Sequence, residues 1–330
     1  MMKRVLVTGG GGFVGTALVR QLLDCGCKVS VAGRNRYPHL EQLEVCCLVG
    51  DIAERDFGEG ICQGVDTVFH TAAKAGIWGD WKSYKRTNID GTLNILNGCR
   101  KNGVERLIYT STPSVVFERH DIEGADETLP YGRNHLCHYA RSKTIAEREV
   151  LSSSDQTLAT CAIRPHLIWG PNDPHLIPRL LERGRAKALK IVGSGANLVD
   201  ITYVDNVAHA HVLAAKSLIS SSISAGQAYF IGQERPVRLW DWINELFQDM
   251  NIAPVRRKIC FPVAFWAGAV LELFHKLTGN DHEPKMTRFL ALQLARSHYF
   301  SQQKATRELG YRPIVSLDEG KKRLLAWLNR

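Results

Sequence analysis

Residues 3–33 read KRVLVTGGGGFVGTALVRQLLDCGCKVSVAG, and this stretch decides the fold. Residues 3–8 form a short apolar run suited to a buried parallel strand. Residues 16–25 place Ala17, Leu18 and Leu22 at helical spacing, and 28–32 is a second apolar run at the distance a strand–helix–strand unit requires. Between strand and helix, Gly9, Gly12 and Gly15 form the pattern GxxGxxG. Glycine permits the tight turn, lets backbone approach a pyrophosphate and lets the helix pack closely on the strand. The helix N-terminus adds free N–H groups and the positive end of its dipole. A glycine triplet alone is a weak signal; inside a strand–helix–strand unit it points to a dinucleotide.

The second run ends in Ala32-Gly33-Arg34-Asn35-Arg36. Where an NAD-binding unit usually has an acid for the ribose 2′-hydroxyl, this chain has Gly33, and the next acid is Glu41. A cation at Arg34, and at Arg36, suits a 2′-phosphate, which favours NADP(H) over NAD(H); the other reading of the two arginines is solvated loop charge. Residues 45–49 form a third run that ends in Gly50-Asp51-Ile52, so Asp51 sits where an acid either meets the adenine amino group or caps the next helix. Residues 66–73, DTVFHTAA, read as a fourth strand with small Ala72 and Ala73 at its end, and its His70 reads as a hydrogen-bonded core residue.

A fifth strand, within 102–110, runs into Ser111-Thr112-Pro113-Ser114. Downstream, His138-Tyr139-Ala140-Arg141-Ser142-Lys143 opens a helix that runs to about residue 151, with Tyr139 and Lys143 on one face at i and i+4. An ammonium beside a phenol favours the phenolate and lowers its pKa towards the working pH. The spacing is weak evidence by itself and gains force from the glycine motif upstream and the hydroxyls of the fifth strand end.

The chain has 330 residues, 45% of them apolar and 23% charged, which fits an ordinary globular protein. Its net charge of +9 suits an anionic partner without choosing one. The nine cysteines contain no CxxC pair, and His209 and His211 point apart on a helix, so a structural metal is not expected and reduced thiols in a cytoplasm are. The run Val5-Leu6-Val7 is too short for a signal-peptide core, and the longest uncharged apolar tract, 259–271, is too short to span a membrane. That tract follows Arg256-Arg257-Lys258. The pair reads either as a buried helix with solvated cations or as a segment, 256–274, that touches a lipid surface.

TGGGGFVG at 8–15, GDI at 50–52, DTVFHTAA at 66–73, NIDGTLNIL at 88–96, YTSTPSVVF at 109–117, YARSK at 139–143 and IRPHLIWGP at 163–171 resemble the extended short-chain dehydrogenase/reductase superfamily. DITYVDNVAHAH at 200–211 and AYFIGQERPVRLWDWI at 228–243 resemble its 3β-hydroxysteroid dehydrogenase branch. KAGIWGDW at 74–81, RPHLIWGPNDPHLIPRLL at 164–181 and TRFLALQLARSHYF at 287–300 are most similar to the bacterial 2-alkyl-3-oxoalkanoate reductases of long-chain olefin biosynthesis.

The resemblance implies an α/β fold. Its core is a Rossmann-type doubly wound parallel sheet, and a smaller, discontinuous C-terminal substrate domain adjoins it. The NADP-binding part is expected at 1–169 and 200–233, the substrate part at 170–199 and 234–330. Tyr139 is the implied general acid/base, Lys143 its partner and a ribose ligand, and Thr112 the catalytic hydroxyl, with Ser111 turned away if the segment stays extended. Asn88 takes either a proton-relay or a helix-stabilising role. The implied cofactor contacts are Gly9, Gly12, Phe13, Val14, Gly15, Arg34, Asp51, Ile52, Ala72, Ala73, Lys74, Thr110, Tyr139, Lys143, Pro165 and His166.

The expected activity is NADPH-dependent reduction of the ketone of a long-chain 3-oxo acid. The alternatives are a 3β-hydroxysteroid or sterol dehydrogenase and a non-catalytic NADP(H)-sensing protein. The second-half aromatics Trp240, Trp242, Phe261, Phe265, Trp266 and Phe274 read as a domain core, an apolar substrate pocket, or both. A homodimer is expected from the resemblance, and no nucleic-acid partner is.

Overall fold

The computed structural model describes residues 2–221 and 223–329. Seven strands, β1 (Arg4–Thr8), β2 (Lys28–Gly33), β3 (Cys46–Val49), β4 (Thr67–His70), β5 (Arg106–Thr110), β6 (Ala159–Pro165) and β7 (Gln227–Ile231), form one sheet. All pairings are parallel and the spatial order is β7-β6-β5-β4-β1-β2-β3. The order reverses between β1 and β4, where Thr8 pairs with His70 in register. A crevice at the carboxyl ends of such a sheet, at the point of reversal, is where nucleotides bind.

The longer helices, in chain order, are α1 (Phe13–Asp24), α2 (Gly91–Lys101), α3 (His138–Ser152), α4 (Leu176–Arg185), α5 (Val204–Ser220), α6 (Leu239–Asp249), α7 (Phe261–Thr278) and α8 (Leu317–Leu328). One face of the sheet is covered by α1 and α5, through Leu18, Leu22, Ala208 and Val212, and the other by α2 and α3, through Ile95, Cys99, Ala146 and Val150. Burial on both faces explains why β1, β4 and β5 are near-continuous apolar runs rather than alternating ones.

A second core joins α4 and α6 around Trp169, Ile177, Leu181, Trp240 and Phe247. Beside it lies a four-stranded sheet. Val237–Arg238 pairs with Leu198–Val199, that strand with His298–Phe300, and the last with Ile122–Ala125. Two segments depart from the expected division of the chain. Ile122–Ala125, from the first half, completes the small sheet. The helix Gln303–Leu309, from the C-terminal part, packs on the large sheet through Ala305 and Leu309, and Tyr311 Oη donates to Gly232 O at 2.8 Å. Both crossings depend on packing over more than 70 residues of separation, which local pattern does not encode.

The nine cysteines are free, and among the described residues no group of three or more His, Cys, Asp or Glu is placed to hold a metal ion. No described helix is long and apolar enough to cross a membrane.

Candidate active site

A cleft of ≈ 520 Å³ opens at the point of strand reversal, between the glycine loop, the ends of β2 to β6, the start of α3 and residues 173–176. Its floor is set by the glycines. Gly9 has φ +69, and a Cβ there would lie 2.8 Å from Ala72 Cα. A Cβ on Gly15 would lie 2.2 Å from Gly9 O, so the turn cannot form around any larger residue. Gly12 is the N-cap of α1 and provides no capping side chain, which leaves the N–H groups at the start of the helix, on the cleft-lining residues Phe13 and Val14, without a side-chain partner. An uncapped helix start bedded on close-packed glycines fits a pyrophosphate.

At the end of β2, Arg34 is exposed on the cleft rim, and Arg36 lies outside it. The acid slot is vacant of charge, and Tyr37 lies over it. A Cβ on Gly33 would lie 2.7 Å from the Tyr37 hydroxyl, and the Tyr37 ring packs over Gly11. Tyr37 carried no sequence signal, because only the fold lays it across two glycines. Asp51 lines the cleft but is already engaged, accepting from Ala53 N at 3.0 Å and from the Arg86 guanidinium at 2.9 Å. Those bonds and the nearby Arg34 charge outweigh its desolvation and hold its carboxyl below the usual range. Ile52, Ala72 and Ala73 line the cleft as expected.

Lys74 does not line it. Its N–H donates to Asn88 Oδ1 at 2.7 Å, its carbonyl accepts from Asn88 Nδ2 at 3.1 Å, and its ammonium bonds Ser83 Oγ. Asn88 is buried in a π-helical turn, Lys85–Asp90, and also donates to Ser142 Oγ at 2.9 Å; Ser142 in turn donates to Tyr139 O at 2.8 Å. Asn88 therefore braces the 72–76 loop against α3, away from the cleft lining. His70 is fully buried between Thr8 Oγ1 at 2.6 Å and Thr92 Oγ1 at 2.9 Å, and burial holds its imidazole neutral, down to about 3.

The reactive groups meet at the end of β5. Thr110, Ser111, Thr112, Tyr139 and Lys143 all line the cleft. The backbone stays extended through Thr112, which then caps a 3₁₀ turn, Pro113–Val115, by accepting from Ser114 N at 3.2 Å. The Ser111 hydroxyl is buried with no partner in the protein. Lys143 is buried, donates to Thr110 O at 2.6 Å and stands 4.0 Å over the Tyr109 ring. Burial lowers its ammonium to about 7, against a raising effect from Glu147.

Tyr139 differs from the expectation that Lys143 lowers it. Burial raises its phenol to about 12, opposed by a hydrogen bond with Thr112.

Pro165 lines the cleft, whereas His166 does not. The His166 ring is buried against His298, Nε2 to Nδ1 at 2.6 Å, and its carbonyl accepts from Thr202 Oγ1 at 2.9 Å. It locks the end of β6 to the small sheet. Sequence reasoning also missed Asp173, which reaches the cleft while capping α4 through the N–H groups of His175, Leu176 and Ile177 at 2.8 to 3.1 Å. A second cavity of ≈ 540 Å³ adjoins the start of α3, between Trp78, His138, Glu272, His275, Lys276 and Arg288.

Residues 6–263 match the 3-beta hydroxysteroid dehydrogenase/isomerase family. The chain is 45% identical over 326 residues to a 2-alkyl-3-oxoalkanoate reductase of Stenotrophomonas maltophilia (strain K279a), covering 98% of each chain. It is 34% identical to the sterol-4-alpha-carboxylate 3-dehydrogenase, decarboxylating, of Mus musculus, covering 97% of this chain and 90% of that one. Among solved structures, the crystal structure of gox2253 is similar with a TM-score of 0.80 and 28% identity, covering 99% of this chain and 98% of the other. The chain belongs to the 3-beta hydroxysteroid dehydrogenase/isomerase family, and is an NAD(P)-dependent oxidoreductase of the extended short-chain dehydrogenase/reductase superfamily.

Proposed function

We propose that this family member reduces the ketone of a long-chain 2-alkyl-3-oxo acid to the 3-hydroxy acid with NADPH. The observation that carries the reading is the convergence of the Thr112 and Tyr139 hydroxyls on one wall of the glycine-floored cleft, beside the buried Lys143. The similarity to a 2-alkyl-3-oxoalkanoate reductase supports the substrate class. The lack of an acid at Gly33 and the cation at Arg34 support NADPH.

The residues present fit the cofactor. The glycine loop and the N–H groups at the start of α1 would hold the pyrophosphate, Arg34 the 2′-phosphate, and Lys143 and the strand ends the nicotinamide ribose. When bound, the dinucleotide supplies the hydride that reaches the carbonyl carbon. Thr112 and Tyr139 donate hydrogen bonds to the ketone oxygen, so negative charge that develops there is stabilised, and Tyr139 passes its proton to that oxygen.

The second reading is oxidation of a 3-hydroxysterol. The two named relatives share more chemistry than their names suggest. A sterol 4-carboxylate oxidised at C3 and a 3-oxoalkanoate both place a carboxylate two carbons from the reacting oxygen. The cavity lined by Lys276 and by His138, the residue before Tyr139, suits such a carboxylate.

Parallel assays decide between the readings: a 2-alkyl-3-oxo acid and a 3β-hydroxysteroid carboxylate, each with both nicotinamide cofactors. Fastest turnover with the oxo acid and NADPH is expected. Preferential steroid oxidation, or equal rates with NADH, overturns the reading.

A further inference from the structure

Helix α7 is apolar on both sides. Its inward side packs Ala264, Phe261 and Phe265 on the core and carries one acid, Glu272, which accepts from Arg288 N at 2.7 Å and pairs with the Arg288 guanidinium at 2.7 Å. Its outward side carries Val263, Trp266, Val270, Leu273, Phe274 and Leu277, with Trp266 68% and Leu277 78% exposed. These positions recur every three or four residues, so they form one stripe about 21 Å long at about 1.5 Å per residue. Isolated exposed apolar residues are normal on a soluble protein, but a continuous stripe marks an interaction surface.

Most charges around the stripe are positive, with exposed Asp281 beyond its C-terminal end. Arg256, Arg257 and Lys258 are exposed just before the helix, and none of them forms a salt bridge among the described residues. Exposed Lys276 flanks the other end. A partner protein core would leave those cations unpaired, and a second copy would bring the same cations against them. An anionic lipid surface offers phosphates to the cations and acyl chains to the stripe, and Trp and Phe are the residues that interfacial helices place at that boundary. No described helix is able to cross a bilayer, so α7 would lie in the plane of the interface.

We propose that α7 docks the protein on an anionic membrane surface, with its outer stripe in the headgroup–acyl boundary and Arg256, Arg257 and Lys258 among the lipid phosphates. His275 and Lys276 of the same helix line the second cavity, whose other wall includes Trp78 and His138. Docking brings the mouth of that cavity to the lipid, where an apolar substrate is dissolved.

Co-sedimentation of the full chain tests this with two vesicle preparations, pure phosphatidylcholine and phosphatidylcholine containing phosphatidylglycerol. Binding to the mixed vesicles, weakened by added salt, is expected. The triple variant Arg256→Gln, Arg257→Gln, Lys258→Gln should weaken it on the order of a hundredfold. The variant Trp266→Ser, Leu273→Ser, Phe274→Ser should abolish it while leaving thermal unfolding near wild type, because the side chains are already exposed. Failure of the wild type to bind either vesicle overturns the proposal. So does unchanged binding in both variants, or a dimer in analytical ultracentrifugation that the serine variant dissociates without any vesicle binding by the wild type.

Discussion

Lys143 Nζ donates to the carbonyl oxygen of Thr110 at 2.6 Å, which ties the helix bearing Tyr139 to the end of the strand that leads into Thr112. The bond holds the amine in a buried place, where burial lowers its ammonium to about 7 from an ordinary value of 10.5. Between those two values the unfolded chain keeps a proton that the folded one has released, so this group makes stability rise with pH over that window. Below about pH 7 the folded protein bears the full cost of a buried ammonium. Lys143→Met should therefore gain stability relative to wild type at pH 6, and that difference should shrink by at least about 1.4 kcal/mol, the equivalent of one pKa unit, as pH rises to 10. Urea midpoints at the two pH values measure it; a difference that does not change with pH refutes the assignment.

Tyr139→Phe removes the proton donor and keeps the ring. Turnover should fall by roughly 10²- to 10⁴-fold, the usual worth of positioned acid–base catalysis. The affinity for NADPH, followed by fluorescence titration, should stay near wild type. Thr112→Val should also slow turnover and should raise the pH at which the phenol ionises, since the Thr112 bond is what opposes burial at Tyr139. A Thr112→Val enzyme with an unchanged pH–rate profile would count against that role.

Arg34 stands on the cleft rim beside Gly33, over which Tyr37 lies. Arg34→Gln should raise KM for NADPH roughly tenfold or more, as expected for a charge-assisted hydrogen bond, and leave KM for NADH little changed. Steady-state kinetics with the two cofactors separates a 2′-phosphate contact from a general loss of binding.

Arg164 and Glu147 form a buried pair, with side chains 4% and 0% exposed, that joins β6 to α3. Glu147→Gln strands a buried guanidinium and should destabilise the protein by roughly 3–5 kcal/mol. Asp90→Asn breaks the exposed pair with Lys85 and should change stability by less than about 1 kcal/mol. Chemical unfolding of both variants gives the comparison, and equal effects would refute the argument from burial.

The glycine loop and the Tyr139–Lys143 spacing were legible in the sequence because each depends on local periodicity or on a sterically unique residue, whereas Ala72 and Ala73, expected at the end of a strand, lie just beyond β4. The second-half aromatics were legible only as apolar. Trp240 and Trp242 entered the core, while Trp266 and Phe274 stayed on the surface, because burial depends on which helix face meets a neighbour.

By itself, then, the sequence determined the strand–helix alternation, the glycine loop between the first strand and helix, and the placing of Tyr139 and Lys143 on one helix face. All are written in spacings of a few residues. Only the tertiary structure decided the rest. It drew Lys74 and His166 out of the cleft into hydrogen bonds with Asn88 and His298. It also laid Tyr37 over Gly11 and Gly33. A side chain's role there is set by partners up to 132 residues away, as for His166 and His298, and no local pattern carries that distance.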